Sequence, residues 1–219
     1  MRALTPLEAR VLGVLIEKQH TVPDTYPLSL NAIVSGCNQK TARDPVIDAT
    51  DAEVLTAVDG LKGLSLVFEG SSSRVLKFEH NLGRVLHLPS QAVALLAVLM
   101  LRGPQTAAEL RLNCDRLHRF ADISSVEGFL DELAAKDPPR VVKLPRAPGA
   151  REARWVQLLC GEVALPAFGA AGAAGAYAAE GGVSAGEIAA LKAEQTRLAD
   201  EVTALKLTVQ RMARELGME

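Results

Sequence analysis

Residues 22–40 read VPDTYPLSLNAIVSGCNQK, and they connect a long apolar segment to the remainder of the first predicted domain. Pro23 and Pro27 disfavour helical geometry in the residue before each of them, which predicts a loop at the start of the stretch. The apolar residues in 30–34 have the three- and four-residue spacing of a short helix, and Gly36 supplies the backbone freedom that ends it. We interpret this short helix as the middle helix of a helix-turn-helix.

The same order of elements is predicted twice along the chain, first over residues 1–88 and then over residues 89–160. In each domain three helices precede two short strands that flank a turn, because the apolar period changes from helical to extended after the third helix. This order is typical of a winged helix, so we predict tandem winged-helix domains. The strands of the two hairpins are predicted at 64–68 and 74–78, and at 141–144 and 154–159.

Capping residues predict where the helices begin. Thr5 with Glu8, and Thr106 with Glu109, have the spacing of a capping box, in which each residue satisfies a backbone donor of the other. The third helix of the first domain has Asp48, Thr50 or Asp51 as its predicted cap, and that of the second domain has Ser124 or Ser125.

Composition limits the possible functions. The chain has 219 residues, 48% of them hydrophobic but only 4% aromatic, which favours helix-rich cores of Leu, Val and Ala. Its net charge is −2, so the chain is not basic overall as many nucleic-acid binders are. Any contact with nucleic acid must therefore come from a local basic region. The three cysteines form no CxxC pair, and no segment is long and apolar enough to span a bilayer. We therefore predict a cytoplasmic protein that does not bind membranes.

The C-terminal segment differs from both domains. Residues 161–186 are rich in Ala and Gly and predict a flexible linker, and residues 187–217 have apolar residues in a heptad pattern. Branched residues at a with leucine at d predict a parallel homodimeric coiled coil, although an amphipathic helix docked on its own domain is the alternative. The predicted seam consists of Ile188, Leu191, Gln195, Leu198, Val202, Leu205, Val209, Met212 and Leu216.

A set of ordered motifs over residues 1–160 resembles the YceH family of uncharacterised bacterial cytoplasmic proteins. The motifs are LIEK at 15–18, PDTYPLSLNA at 23–32, CNQK at 37–40, RDPV at 43–46, LRGPQT at 101–106, ELR at 109–111, PG at 148–149, RE at 151–152 and RW at 154–155. The resemblance implies a tandem winged-helix fold and a regulatory or DNA-binding role, without an established activity. The chain has Thr41-Ala42 where relatives tend to carry Ser-Asn.

Basic residues in the hairpins and in the loop after the second helix are the candidate DNA contacts. The segment 138–154, in the second wing, contains five basic residues against one acidic residue, which suits contact with phosphate or the minor groove. The alternative is a solvated loop whose arginines pair with acidic residues of their own domain. The candidates are Arg140, Lys143, Arg146, Arg151 and Arg154 in the second domain, and Lys40, Arg43, Arg74 and Lys77 in the first.

The sequence contains no recognisable catalytic or cofactor motif. It has no nucleophile elbow, phosphate loop, dinucleotide fingerprint or HExxH helix, and its four histidines lack the spacing of a metal site. We therefore expect no enzyme activity, no cofactor and no metal. Two hypotheses follow: a dimeric DNA-binding transcriptional regulator, or a protein-interaction scaffold of winged-helix type with no direct DNA contact. Acidic residues in both predicted third helices are the argument for the scaffold.

Overall fold

The computed structural model describes residues 1–70, 75–146 and 150–163. These residues form a mixed α+β fold that is rich in helix and has small antiparallel sheets. In chain order the elements are α1 (Pro6–Thr21), a 3-10 turn (Pro23–Thr25), β1 (Leu28–Ser29), α2 (Leu30–Cys37), α3 (Asp51–Gly63), β2 (Val67–Gly70), β3 (Lys77–His80), α4 (Leu82–Leu86), α5 (Ser90–Arg102), α6 (Ala107–Asn113), α7 (Ile123–Ala134), β4 (Val141–Lys143) and β5 (Trp155–Gln157).

Helix α1 is buried on every side along its middle, from Glu8 to Ile16. Its start is the predicted capping box, in which the Glu8 N–H donates to Thr5 Oγ1 at 3.2 Å and the Thr5 N–H donates to Glu8 Oε2 at 2.7 Å. Because residues 11–16 are apolar on every face of the helix, other elements must enclose them, and α1 lies at the centre of the core.

The first half of the fold places α2 and α3 against α1 and ends in a three-stranded sheet of order β1-β3-β2. Strand β3 pairs with β1 through Leu28 opposite Phe78, and with β2 through Val67 opposite His80. Burial of Leu28, Val67 and Phe78 fixes this register, since a slip by one residue would turn them to solvent.

The second half repeats this order with α5, α6, α7 and the two-stranded sheet β4-β5. In place of β1, Gln105 forms an isolated antiparallel bridge with Trp155, in which each backbone N–H donates to the other residue's carbonyl at 3.1 and 2.7 Å. Gln105, which precedes the Thr106 cap of α6, therefore holds the second hairpin in the same way that β1, before α2, holds the first.

The core is continuous across the two halves, and both halves lie within one compact unit, Met1–Pro166. Helices α1 and α5 approach closely at Gly13, where an added Cβ would lie 2.9 Å from Leu101 Cγ. The α2–α3 loop also reaches the end of α5, because the Asp44 N–H donates to the Leu101 carbonyl at 2.9 Å. The predicted boundary near residue 88 thus falls between two halves that share a core.

Several local predictions can be compared with the structure. Thr50 caps α3, and Gly103, with φ 72°, follows the end of α5. The predicted cap of the second domain's third helix was wrong: α7 begins at Ile123, and its cap is Asp122, whose carboxylate accepts from the Ser125 N–H at 2.7 Å. The predicted linker and coiled coil, including every residue of the predicted seam, lie outside the described residues.

Candidate nucleic-acid interface

The second hairpin, which comprises β4, β5 and the residues between them, exposes three arginines, two of which form no described ion pair. Arg146 and Arg151 follow β4 and precede β5, and both are exposed. Within the described ranges, neither residue forms an ion pair. Their guanidinium groups are therefore available to an anionic partner.

Two other candidates of this hairpin are engaged with neighbouring elements. Arg154 donates through Nη1 to the Pro104 carbonyl at 2.8 Å and through Nη2 to Glu109 Oε1 at 3.0 Å, which fastens β5 to the start of α6. Lys143 Nζ lies 5.2 Å from the centre of the Trp155 ring and 4.0 Å from Glu127 Oε1 of α7. These two cations partly serve the fold, as the alternative interpretation of the hairpin anticipates.

Arg140 stands at the base of the hairpin and is half-buried. Its backbone N–H donates to the Leu133 carbonyl at 2.9 Å, and its own carbonyl accepts from the Leu158 N–H at 2.8 Å. Its Nε is buried and finds no acceptor among the described residues. Arg140 thus anchors the strand pair and offers only part of its guanidinium to solvent.

Arg43 cannot serve as a DNA contact, because its side chain is 0% exposed. Its guanidinium donates to the Gly36 carbonyl at 3.0 Å, to Glu17 Oε2 at 2.5 Å and to Gln39 Oε1 at 2.6 Å. The prediction for Arg43 was therefore wrong. A cation in a loop between two helices resembled a surface residue, but the loop folds inward and the arginine neutralises Glu17 and caps the carbonyl end of α2.

The other candidates of the first half are scattered. Lys40 is exposed in the α2–α3 loop, and Lys77 is half-buried on β3. Arg74 lies outside the described residues. The first half therefore presents no described cluster of cations comparable to that of the second hairpin.

The exposed faces of α3 and α7 are acidic, as the sequence predicted. Asp51, Glu53 and Asp59 are exposed on α3, and Glu127, Asp131 and Glu132 are exposed on α7. Phosphate groups would be repelled by these carboxylates, so the third helix of either half is poorly suited to lie deep in a major groove.

Sequence reasoning missed three arginines near the start of α7. Arg111 lies on α6, and Arg116 and Arg119 lie in the turn between α6 and α7. The segment RLNCDRLHRF, residues 111–120, carries them at short intervals, so its charge pattern could have identified them. These three arginines precede α7 in the sequence, and Arg146 and Arg151 follow it, so basic side chains flank α7 along the chain.

Other side chains singled out in the sequence are structural. Trp155 is buried in the core. Burial raises the pKa of the Cys37 thiol to about 11, so this cysteine is not a thiolate at neutral pH. Among the residues that the structure describes, no cluster of His, Cys, Asp and Glu could hold a metal ion, and no helix is both long and apolar enough to cross a bilayer.

Comparison with known proteins identifies the family. A family model described as "Protein of unknown function, DUF480" matches residues 4–150. A UPF0502 protein of Leptothrix cholodnii is 70% identical over 87% of this chain and 85% of its own length. UPF0502 proteins of Burkholderia multivorans and Cupriavidus pinatubonensis are 74% and 75% identical, over 81% and 80% of this chain and 76% and 74% of their own lengths. The chain therefore belongs to the DUF480 family, whose bacterial members carry the name UPF0502.

Proposed function

We propose that this chain is a DNA-binding protein built from two winged helices that share one core. The basis is the repeated order of elements, in which a helix and a short strand or bridge precede two helices and a hairpin. In such domains the hairpin contacts phosphates or the minor groove. The motifs that resemble the YceH family support the same interpretation.

The observation that carries this proposal is a pair of exposed arginines in the second hairpin that form no ion pair with the part of the chain that the structure describes. Arg146 and Arg151 form no ion pair with the acidic groups described on α6 and α7, whereas Lys143 and Arg154 each pair with one of them. Because a phosphate contact requires a cation that is free to replace condensed counterions, Arg146 and Arg151 are the expected contacts. In this arrangement the hairpin contacts the DNA, and the acidic face of α7 stays outside the major groove.

We further propose that the protein acts as a homodimeric transcriptional regulator in the cytoplasm. The heptad pattern of residues 187–217 supports a parallel coiled coil that would pair two such modules. Two copies of one basic hairpin would then approach two sites on a duplex. Because DNA contacts add across a dimer, weak contacts by each hairpin could yield useful affinity.

A salt titration of binding to random-sequence duplex DNA tests the proposal. We compare the wild type with the double variant Arg146→Ala/Arg151→Ala, and leave Arg154 intact because it holds β5 to α6. The matched control is Arg84→Ala/Lys136→Ala, which removes the same charge elsewhere. Each lost phosphate contact should lower the slope of log affinity against log salt by about 0.9, so the hairpin variant should lose about 2 while the control keeps the wild-type slope.

A protein-interaction scaffold is the second candidate. The acidic faces of α3 and α7 favour it, as do the exposed apolar residues Leu55 on α3 and Phe68 on β2. If the wild type binds no DNA at any salt concentration, the DNA-binding proposal fails and the scaffold becomes the working hypothesis. Recovery of a stoichiometric protein partner that is lost on Leu55→Asp would then support it.

A further inference from the structure

The turn between α6 and α7 contains an open cavity of about 420 Å³ on the surface of the second half. Six residues line it, and they combine two arginines and one aspartate with an apolar surface. The lining residues are Arg111, Leu112, Asp115, Arg119, Phe120 and Ala121. With two cations against one anion, the lining carries a net positive charge.

Arg111 keeps hydrogen-bonding capacity for a ligand. A guanidinium has five N–H donors, and among the described contacts this one donates a single hydrogen bond, from Nη2 to the Ala121 carbonyl at 3.0 Å. That bond holds the side chain against the residue that precedes the α7 cap. Its Nε is shielded from water and has no acceptor within the described part of the chain.

Arg119 is bound only weakly to its neighbour. Its Nε lies 3.2 Å from Asp115 Oδ1, and the two side chains are 83% and 55% exposed. Ion pairs that are this exposed contribute about 1 kcal/mol or less, so a stronger anion can take the place of Asp115. The nearby Asp122 adds a second carboxylate beside this site: its Oδ1 accepts from the Ser125 N–H and hydroxyl at 2.7 and 2.6 Å, and Arg111 contributes to the lowering of its pKa.

The apolar part of the lining can contact the sugar that adjoins a phosphate. Leu112 is 72% exposed at the rim, while Phe120 is buried beneath the surface. Protein contacts to nucleic-acid backbones go to phosphate oxygens and to the sugar beside them. A cavity with two guanidinium groups and an exposed leucine offers partners to both.

The corresponding segment of the first half has no such site. There the arginine of the α2–α3 loop, Arg43, has its guanidinium buried and bonded to Glu17, Gln39 and backbone carbonyls. The difference between the two halves shows that the arginines of the α6–α7 turn are not required by the repeated architecture.

From this geometry we infer that the α6–α7 cavity binds a phosphate group, held by Arg111 and Arg119. The inference extends the proposed function, since the backbone of DNA lying on the second hairpin is the first source of such a group. A free phosphate-bearing molecule is the second source. In both cases the guanidinium groups bind the phosphate oxygens.

The test combines two measurements on the full chain. The first repeats the DNA salt titration with Arg111→Gln and Arg119→Gln, and uses Arg84→Gln as a control that removes one exposed charge from α4. Affinity falls between 50 and 200 mM salt, and for each cavity variant the factor of this fall should be roughly threefold smaller than for the wild type. For the control it should equal that of the wild type. The second measurement follows the backbone amide signals of Ala121 and Asp122 by NMR while inorganic phosphate is added. Circular dichroism confirms that each variant is folded.

The outcomes separate the inference from the proposed function. If the wild type binds DNA but both cavity variants behave like Arg84→Gln, and phosphate moves neither amide signal, the inference is wrong while the proposed function stands. If the wild type binds no DNA, but phosphate shifts the two signals in the wild type and not in Arg111→Gln, the cavity is a site for free phosphate and the proposed function fails. If the wild type neither binds DNA nor shows a phosphate-induced shift, both the inference and the proposed function are wrong.

Discussion

At the scale of single residues, His80 shows how distant partners set the properties of a side chain. Its ring lies against Gln19, whose Oε1 is 2.7 Å from Nε2, and its backbone N–H donates to the Tyr26 hydroxyl at 2.8 Å. The Nδ1 atom is buried without a partner among the described residues. Desolvation by burial, with a smaller contribution from His20, lowers the pKa of His80 to about 4. The sequence shows the histidine but not these contacts, which come from elements more than fifty positions away.

This half-buried histidine makes stability depend on pH. Because the folded pKa lies below the unfolded value of 6.5, the unfolded state binds the proton more readily, so stability is full above about pH 6.5 and is lost as the pH falls toward 4. The free energy of unfolding should fall by about 3 kcal/mol over that range through His80 alone. We expect His80→Gln to flatten this part of the profile in urea titrations at a series of pH values.

A matched substitution serves as the control for His80. His87→Asn replaces an exposed histidine with a residue that tolerates its left-handed backbone, φ 51°. The profile of this variant should follow the wild type between pH 6.5 and 4. An equal flattening in both variants would contradict the assignment to His80.

At the scale of elements, local chemistry predicts helix starts better than strands. The capping boxes that begin at Thr5 and Thr106 are confirmed. They could be predicted because the two residues of each box lie within four positions of each other in the sequence. Strand β1 was not predicted, since two residues become a strand only by pairing with β3 nearly fifty positions later. The cap of α7 was misplaced because the segment offers an aspartate and two serines in close succession, and sequence alone does not rank them.

Replacement of glycine by alanine should have opposite effects on stability at Gly13, which lies at the contact between α1 and α5, and at Gly128 of α7, which does not. At Gly13 a new methyl group would meet Leu101 Cγ at 2.9 Å and the Ala97 carbonyl at 3.4 Å, whereas at Gly128 of α7 it would meet nothing within 4 Å. Replacing either glycine by alanine gains roughly 1 kcal/mol of helix propensity. At Gly13 overpacking costs about 1 to 3 kcal/mol, so the net effect should be destabilising.

Thermal or urea denaturation of the two variants measures this difference. Gly128→Ala should raise the free energy of unfolding by about 0.5 to 1 kcal/mol, and Gly13→Ala should lower it by about 1 kcal/mol. Similar gains at both positions would mean that α1 and α5 do not pack as closely as described.

At the scale of the whole molecule, the repeat was visible in the sequence but the shared core was not. The spacing of apolar residues predicts the helices of each half separately. It does not show that α1 and α5, besides packing within their own halves, also pack against each other. Of the candidate site, the position of the basic hairpin followed from composition. The internal use of Arg43 and Arg154 depends on partners at other positions of the chain, which no local pattern reveals.

The shared core and the predicted tail lead to one expectation for a shortened chain. Residues 1–166, which form one compact unit, should unfold in a single transition and be monomeric by light scattering. The full chain should be dimeric, and Leu198→Ala/Leu205→Ala should weaken the dimer without moving the transition of the core. Two separate transitions in residues 1–166, or an unchanged mass in the double variant, would contradict the respective expectation.

The enclosure of α1 also affects how genetic data on this family should be interpreted. Between Val11 and Ile16 the helix has no surface, so a polar or bulky substitution there disturbs both halves at once. A screen for loss of activity would recover such changes readily, although none of these side chains can touch a ligand. Frequent hits in this stretch would therefore report on abundance of the folded protein, and only variants that keep normal levels would map the binding surface.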